Sequence, residues 1–467
     1  MKTNLLKRTF HYVSSYQILV VVFVFLASSC QNKKTEVSDN YAGNIETNKL
    51  YKGEQAKNEA QVSYSFYLPS NYNGVDKLPV IFFFDPHANA AKAINKYKKL
   101  ADTYGYVFIG SENIKNGMSA VSSKDVFSAL LLEVKARFVI DEKRLFTAGF
   151  SGGAKLAIIY AQEFSDIIGV IACGASLPML ADYNPNYYYV GIVGNEDFNY
   201  LETHQTFTVF DKKGFDFTSV IFNGGHDWPP TESFDLAMAG LEIYAIKTKR
   251  EEKNEAWLEN LYVRMQDSMQ VYEAKGDYLK EYQTIRQAVR WFYGISPVKE
   301  LIEKSTEIGQ KKELYTQMQK LQMLIQKEVM LRSEFVKAIE NKDFEWWKLE
   351  VNKINTAISK GEENLAMVSQ RLMNYVSMAS FMLIKTNLDD EKLDEAFKKI
   401  KIYELVDPKN HDVYLMYARY YLLLNDVENM KKNYQKAVEL GFTEKEEYTK
   451  ESSWEQLMNH QEILKLQ

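Results

Sequence analysis

A serine set among glycines has the residue types and spacing that nucleophilic chemistry needs. Ser151 lies in the stretch GFSGG at residues 149–153, after an apolar run and before a helix-like run. This order predicts a sharp turn from strand to helix. Glycines suit such a turn because the serine backbone is strained and its neighbours have no room for bulky side chains. A serine hydroxyl is a weak nucleophile at neutral pH, so the sequence must also supply a base and a residue that orients it.

The strand-turn-helix around Ser151 resembles the nucleophile elbow of the α/β-hydrolase superfamily. Short apolar strands alternate with amphipathic helices from about residue 60, which predicts a mainly parallel sheet with helices on both faces. The resemblance implies an α/β-hydrolase fold over residues 60–247. In that family the nucleophile is followed along the chain by the acid and then by the histidine.

That order implies His226 as the base. It lies in the stretch VIFNGGHDWPP, at the end of a predicted strand, where the family has its histidine. The acid is expected in the loop after the preceding strand, where the stretch GNEDFNY holds both Glu196 and Asp197. The Gly-x-x-Asp turn favours Asp197, and Glu196 remains the alternative.

The oxyanion of an acyl-transfer reaction needs two N–H donors. The resemblance implies the backbone N–H of Gly152 as one donor and the loop after the predicted strand VIFFF as the source of the other. Pro86 in that loop has no N–H. His87 is therefore expected to serve, with Ala88 as the alternative.

Two motifs narrow the resemblance to one branch of the superfamily. GFSGG and the ending GGHDWP look most like dienelactone hydrolases, polyhydroxybutyrate depolymerases and feruloyl esterases, which cleave carboxylic esters. We therefore expect a serine esterase that acts through an acyl-enzyme on an ester of unknown identity. Phe150, Phe198 and Trp228 are expected to line an acyl or aryl subsite, unless they belong to the core. A serine peptidase with the same triad, or a binding protein with a retained hydrolase scaffold, remains an alternative.

The composition argues against other kinds of function. The formal net charge of −5 and the isoelectric point near 5.9 differ from the basic balance of proteins that bind nucleic acid. The sequence has no Cys/His cluster and no phosphate-binding glycine loop, so no metal or cofactor is expected. Cys173 lies inside an apolar run, which makes it a poor candidate for a thiol nucleophile.

The first thirty residues resemble a bacterial lipoprotein signal peptide. A basic segment precedes the apolar run ILVVVFVFL, and small residues then lead to Cys30. The resemblance implies that Cys30 is lipidated and holds the protein at the bacterial cell envelope, on the outer membrane. Residues 31–59 are expected to form a polar tether. An uncleaved signal anchor is the alternative for residues 1–30.

Residues 248–467 have the texture of an all-α domain, with apolar residues spaced by three and four. The stretches 386–408 and 422–442 repeat a polar turn and an amphipathic helix at a period of 34 residues. This resembles tetratricopeptide repeats, which implies a concave surface for a protein or peptide partner. A helical bundle with chance spacing is the alternative.

The junction between the two regions, IKTKREEKNEAW at residues 246–257, is highly charged. A solvated connection would have this composition, so we expect the helical domain to be separable from the hydrolase domain. The alternative is that residues 250–467 pack on the hydrolase and shape its cleft.

Overall fold

The computed structural model describes residues 45–177, 186–443, 448 and 452–466. The expected signal peptide, Cys30 and the first part of the expected tether lie outside these ranges. Within them, no helix is both long and apolar enough to cross a membrane. All the described residues belong to one compact unit.

Eight strands of the described residues form one sheet, in the order β1-β2-β4-β3-β5-β6-β7-β8. Strand β2 runs antiparallel to β1 and β4, and the remaining neighbours are parallel. The carboxyl ends of the parallel strands therefore meet at one edge, where ligands bind in open α/β sheets. The strands are β1 (Leu50–Gln55), β2 (Ser63–Tyr67), β3 (Leu78–Phe84), β4 (Val107–Ser111), β5 (Ile140–Phe150), β6 (Ile167–Cys173), β7 (Tyr188–Gly194) and β8 (Phe217–Phe222).

Helices cover both faces of the sheet. Alternate residues of β3 point to opposite faces, so Phe82 joins one apolar core and Phe83 joins the other. The first core is closed by α2, α3 and α4, and the second by α1 and α5. These helices are α1 (Ala90–Tyr104), α2 (Ala120–Arg137), α3 (Gly152–Glu163), α4 (Tyr200–Lys213) and α5 (Thr231–Lys247).

The end of the expected tether is a strand. Residues 50–55 pair with β2 as the edge strand β1, so the polar tether does not extend to residue 59. The sequence LYKGEQ hides this strand because an edge strand exposes polar side chains on much of its surface. Tyr51 still stacks on Phe66, with ring centroids 4.6 Å apart.

The described residues after 254 are mostly helical, as expected. The helices are α6 (Glu255–Ala274), α7 (Tyr278–Phe292), α8 (Lys299–Gly309), α9 (Lys312–Asn341), α10 (Phe344–Lys360), α11 (Glu363–Asp389), α12 (Leu393–Val406), α13 (His411–Leu423), α14 (Val427–Glu439), α15 (Ser452–Met458) and α16 (Gln461–Leu464). Residues Glu391 and Asn425, 34 apart, both have a left-handed backbone two residues before a helix begins. The turn thus recurs with the sequence period, and the tetratricopeptide-like character of these helices stays a prediction.

The helical region packs on the sheet through α7. The Trp291 indole donates to Thr218 Oγ1 on β8 at 2.8 Å. The Gln287 amide oxygen accepts from the Ser219 N–H at 3.3 Å, and its nitrogen donates to the Phe217 carbonyl at 3.4 Å. Strand β8 ends the sheet, and such an edge is prone to aggregation unless something covers it. Helix α7 covers it here.

The charged junction is also held in place. Glu251 forms an ion pair with Arg144 of β5, and Lys247 pairs with Asp216 at 2.8 Å. Helix α5 contributes to the sheet core on one side and to a second apolar cluster with α6 and α7 on the other. The shared apolar cluster favours the alternative that the helices pack on the hydrolase. Lys247 and Glu251 of the junction are paired, whereas Lys249, Glu252, Lys253 and Glu255 are exposed.

We expect a chain that ends at residue 249 to aggregate or to lack a cooperative thermal transition. Truncation would leave the β8 edge uncovered and expose the outer face of α5. Thermal unfolding followed by circular dichroism, beside a chain with an intact C-terminus, measures this. A truncated chain that melts cooperatively near the temperature of the longer chain would show that the helical region is separable.

Candidate active site

Ser151 lies at the turn between strand β5 and helix α3. Its backbone angles are φ 53° and ψ −119°, a strained conformation that costs on the order of 1–3 kcal/mol. The Ser151 N–H donates to the Cys173 carbonyl at the end of β6, at 2.9 Å. The strain is thus held by the neighbouring strand, and the hydroxyl is lifted above the carboxyl edge of the sheet.

The flanking glycines are required by close backbone contacts. A Cβ on Gly153 would lie 2.1 Å from the Phe84 carbonyl oxygen of β3. A Cβ on Gly149 would lie 2.2 Å from the carbonyl oxygen of Gly153. Neither backbone can move aside cheaply, so the glycines allow helix α3 to start directly against the sheet.

Three side chains predicted from separate parts of the sequence meet at this edge. His226 Nε2 lies 3.0 Å from Ser151 Oγ. His226 Nδ1 lies 2.9 Å from both carboxylate oxygens of Asp197. The residues follow β5, β7 and β8 respectively, and the distances are those of a nucleophile, a base and an orienting acid.

Asp197 is the carboxylate that reaches the imidazole. It is 1% exposed, and its Oδ1 also accepts the Asn199 N–H at 2.7 Å. Glu196 is half-exposed and makes its described hydrogen bonds through its backbone. The backbone of the loop therefore turns Asp197, and not Glu196, toward His226.

A glycine that sequence analysis did not identify makes room for the acid and the base. Gly174 has φ +64°, and a Cβ there would lie 3.1 Å from Asp197 Oδ2 and 3.2 Å from His226 Nδ1. Its carbonyl accepts from Asn199 Nδ2 at 2.7 Å. Gly174 directly follows the apolar strand β6, which is the one signal in the sequence that places it at the carboxyl edge.

Two of the three predicted subsite aromatics flank the base. The rings of Phe198 and Phe150 lie 4.1 and 4.6 Å from the imidazole, measured between centroids, and both are half-buried. Trp228 is different: it is 4% exposed and packs in the core against Phe83. This burial favours the alternative that Trp228 belongs to the core.

The loop after β3 uses its own N–H groups. The His87 N–H donates to the Asp85 carboxylate at 2.9 Å, and the Ala88 N–H donates to the Asp85 carbonyl at 3.1 Å. Asp85 is buried and also accepts from the Trp228 indole at 2.9 Å. The two N–H groups expected to hold an oxyanion are thus already engaged in the turn that Asp85 organises.

Asn116 lies over the elbow instead. A Cβ on Gly152 would be 1.8 Å from Asn116 Oδ1 and 3.3 Å from Asn116 Nδ2. The Asn116 backbone is fixed by a hydrogen bond from its N–H to the Pro86 carbonyl at 2.8 Å, while its side chain is exposed. Sequence analysis missed this residue because no motif marks it.

Thiol and metal chemistry have no candidate among the described residues. Burial raises the pKa of the Cys173 thiol far above its ordinary value, so the thiol is not a nucleophile at neutral pH. No group of three or more His, Cys, Asp or Glu side chains in the described part of the chain could hold a metal ion.

No family model and no curated protein matches this sequence. Solved structures that are similar to it include a ferulic acid esterase, at 18% identity over 38% of this chain and 88% of that chain, with a TM-score of 0.30. An S-formylglutathione hydrolase from Staphylococcus aureus is similar at 14% identity over 42% and 95%, with a TM-score of 0.33. A feruloyl esterase module from Clostridium thermocellum is similar at 11% identity over 43% and 89%, with a TM-score of 0.33. Likeness at these scores carries no weight for the reaction, which must be inferred from the side chains of the site.

Proposed function

We propose that this chain is a serine hydrolase of the α/β-hydrolase type that cleaves carboxylic esters. The observation that carries the proposal is the continuous hydrogen-bonded row from the buried Asp197 through His226 to Ser151. Such a row turns a serine hydroxyl into a nucleophile. The ester class is proposed from the resemblance of the GFSGG and GGHDWP motifs.

In the proposed reaction, Ser151 Oγ attacks the ester carbonyl while His226 Nε2 takes the hydroxyl proton. Asp197 accepts from Nδ1, which fixes the tautomer and stabilises the imidazolium that forms. The tetrahedral intermediate collapses, and the imidazolium gives its proton to the departing alcohol. Water then attacks the acyl-Ser151 with the same base, which releases the acid and restores the hydroxyl.

The oxyanion is proposed to be held by Gly152 and Asn116. The Gly152 N–H is the first of helix α3, where the helix dipole favours negative charge. A half-turn of the Asn116 amide about its Cβ–Cγ bond brings Nδ2 into the place of Oδ1, beside Gly152. A side-chain amide can replace a backbone N–H in this role.

The half-buried rings of Phe150 and Phe198 beside the base suit an acyl or aryl group of the substrate.

A binding protein with a retained hydrolase scaffold does not need all three hydrogen-bonded side chains of the triad, and we therefore favour catalysis over it. A peptidase would share the triad. Turnover of p-nitrophenyl, feruloyl and acetylated-glycan esters, compared with peptide p-nitroanilides, separates the two bond types.

We expect Ser151→Ala to abolish turnover of p-nitrophenyl esters and covalent labelling by a fluorophosphonate probe. Losses of a triad member are about 10⁴-fold or more, and the smaller side chain leaves the elbow intact. Labelling on a gel and the melting temperature are measured together. An unlabelled wild-type protein would support the scaffold alternative, and a labelled alanine variant would place the nucleophile elsewhere.

The choice between the two carboxylates gives a matched pair. Asp197→Asn is expected to lower kcat by about 10⁴-fold, because the amide favours the wrong imidazole tautomer. Glu196→Gln should leave kcat within about twofold, since that side chain does not contact the base. Steady-state kinetics at neutral pH measure both. The reverse order of losses would assign the acid to Glu196.

Asn116→Ala is expected to lower kcat by about 10²- to 10³-fold with little change in KM, as the loss of one oxyanion donor does. Asn58→Ala serves as control, because that exposed asparagine donates to the Ala129 carbonyl and not at the elbow. Steady-state kinetics of folded variants give both constants. A wild-type kcat for Asn116→Ala would return the second donor to the loop at residues 85–89.

A further inference from the structure

Side chains from the helical region hold the loop that carries the acid. Three donors on α9 and α11 bond to backbone carbonyls directly around Asp197. The bonds run from Arg332 Nη1 to the Phe198 carbonyl at 2.6 Å, from Arg371 Nη1 to the Asn195 carbonyl at 2.8 Å, and from Asn374 Nδ2 to the Glu196 carbonyl at 2.8 Å.

The two guanidinium groups are fixed by one buried carboxylate. Glu328 is fully buried; its Oε1 accepts from Arg332 Nη2 at 2.5 Å, and its Oε2 accepts from Arg371 Nη2 at 2.5 Å and Nε at 2.9 Å. Arg371 is itself 4% exposed. The guanidinium planes also lie over the rings of Tyr375 and Tyr200, 4.5 and 4.3 Å from the ring centres.

The loop that carries Asp197 (the acid loop) is also bonded from its other side, by the loop that carries His226 (the base loop). The Asn195 N–H donates to the Phe222 carbonyl at 2.8 Å, and the Glu196 N–H donates to the Gly224 carbonyl at 2.9 Å. The acid loop thus lies between the loop that carries His226 and the helices. The N–H groups of Asn195 and Glu196 face the loop that carries His226, and the carbonyls of the same two residues face the helices, so both neighbours are needed to set this backbone.

We propose that Arg332, Arg371 and Asn374 are positioning residues of the hydrolase, and that its active site is complete only with the helical region in place. The inference rests on the proposed function. The three donors bond to the residues two before, one before and one after Asp197, which determines where its carboxylate points. A shift of about 1 Å in such a group can cost about 10²-fold in rate.

Contacts that only hold the helices against the sheet would not need to involve three side chains bonded to the acid loop. Arg286 makes such an attachment: it bonds to Asp211 at the far end of α4, at 2.8 Å. Arg286→Met therefore provides a matched control that removes an arginine between the same two regions without touching the acid loop.

The test uses the full chain and p-nitrophenyl ester hydrolysis. We expect Arg371→Met to lower kcat by about 10- to 10²-fold with KM little changed, and Arg286→Met to leave both constants near those of the wild type. Asn374→Asp leaves Glu328, Arg332 and Arg371 unchanged. It places an acceptor against the Glu196 carbonyl, so it should also lower kcat. Aspartate has nearly the shape of asparagine but adds a negative charge, and this variant tests the proposal if Arg371→Met does not fold.

A double-variant cycle separates positioning from general destabilisation. If Arg371 and Asn374 act through Asp197, neither change should lower kcat further in the Asp197→Asn background, because the group they position is already lost. Equal losses in both backgrounds, or an equal loss for Arg286→Met, would overturn the proposal, as would wild-type kcat in both Arg371→Met and Asn374→Asp. A wild-type protein that neither turns over nor labels contradicts the proposed function instead.

Discussion

The hydrogen bonds from Asp197 through His226 to Ser151 limit how far the loops that carry these residues can move. Each group must stay within a few tenths of an ångström of its partner, although the three residues come from different loops. Parallel strands meet this demand because their carboxyl ends lie side by side, and β5, β7 and β8 each place one loop at the same edge. The parallel sheet therefore brings the three loops close enough for these hydrogen bonds to form.

The loops differ in how firmly the sheet alone can hold them. Ser151 is fixed by the elbow and by its bond to the Cys173 carbonyl in the centre of the sheet. The acid and base loops lie toward the end of the sheet, where β8 has a strand on one side only. Helix α7 pairs with that free edge, and α9 and α11 reach the acid loop. The helical region thus compensates for the position of the site near the end of the sheet.

The sequence predicted the residues whose type and local spacing are set by chemistry. Ser151, His226 and the choice of Asp197 over Glu196 depend on short motifs after strands, and the structure brings these residues together. It could not reveal contacts between distant segments, such as those that bury Trp228 or engage the His87 N–H with Asp85. The charges of the junction were ambiguous for the same reason, because a sequence does not show whether a charged side chain is paired or solvated.

The charged contact between the helices and the acid loop is better suited to orienting the loop than to raising the free energy of unfolding. A buried carboxylate with two guanidinium groups gains little over an apolar contact of equal size, because desolvation offsets most of the attraction. Apolar surfaces, however, can slide over one another, whereas a guanidinium bonded to Glu328 can donate to a carbonyl in only a narrow range of directions. Each arginine bonds to Glu328 and to a loop carbonyl at once. The cluster therefore fixes the backbone around Asp197 relative to α9 and α11, so the orientation of the carboxylate depends on helices that lie more than a hundred residues further along the chain.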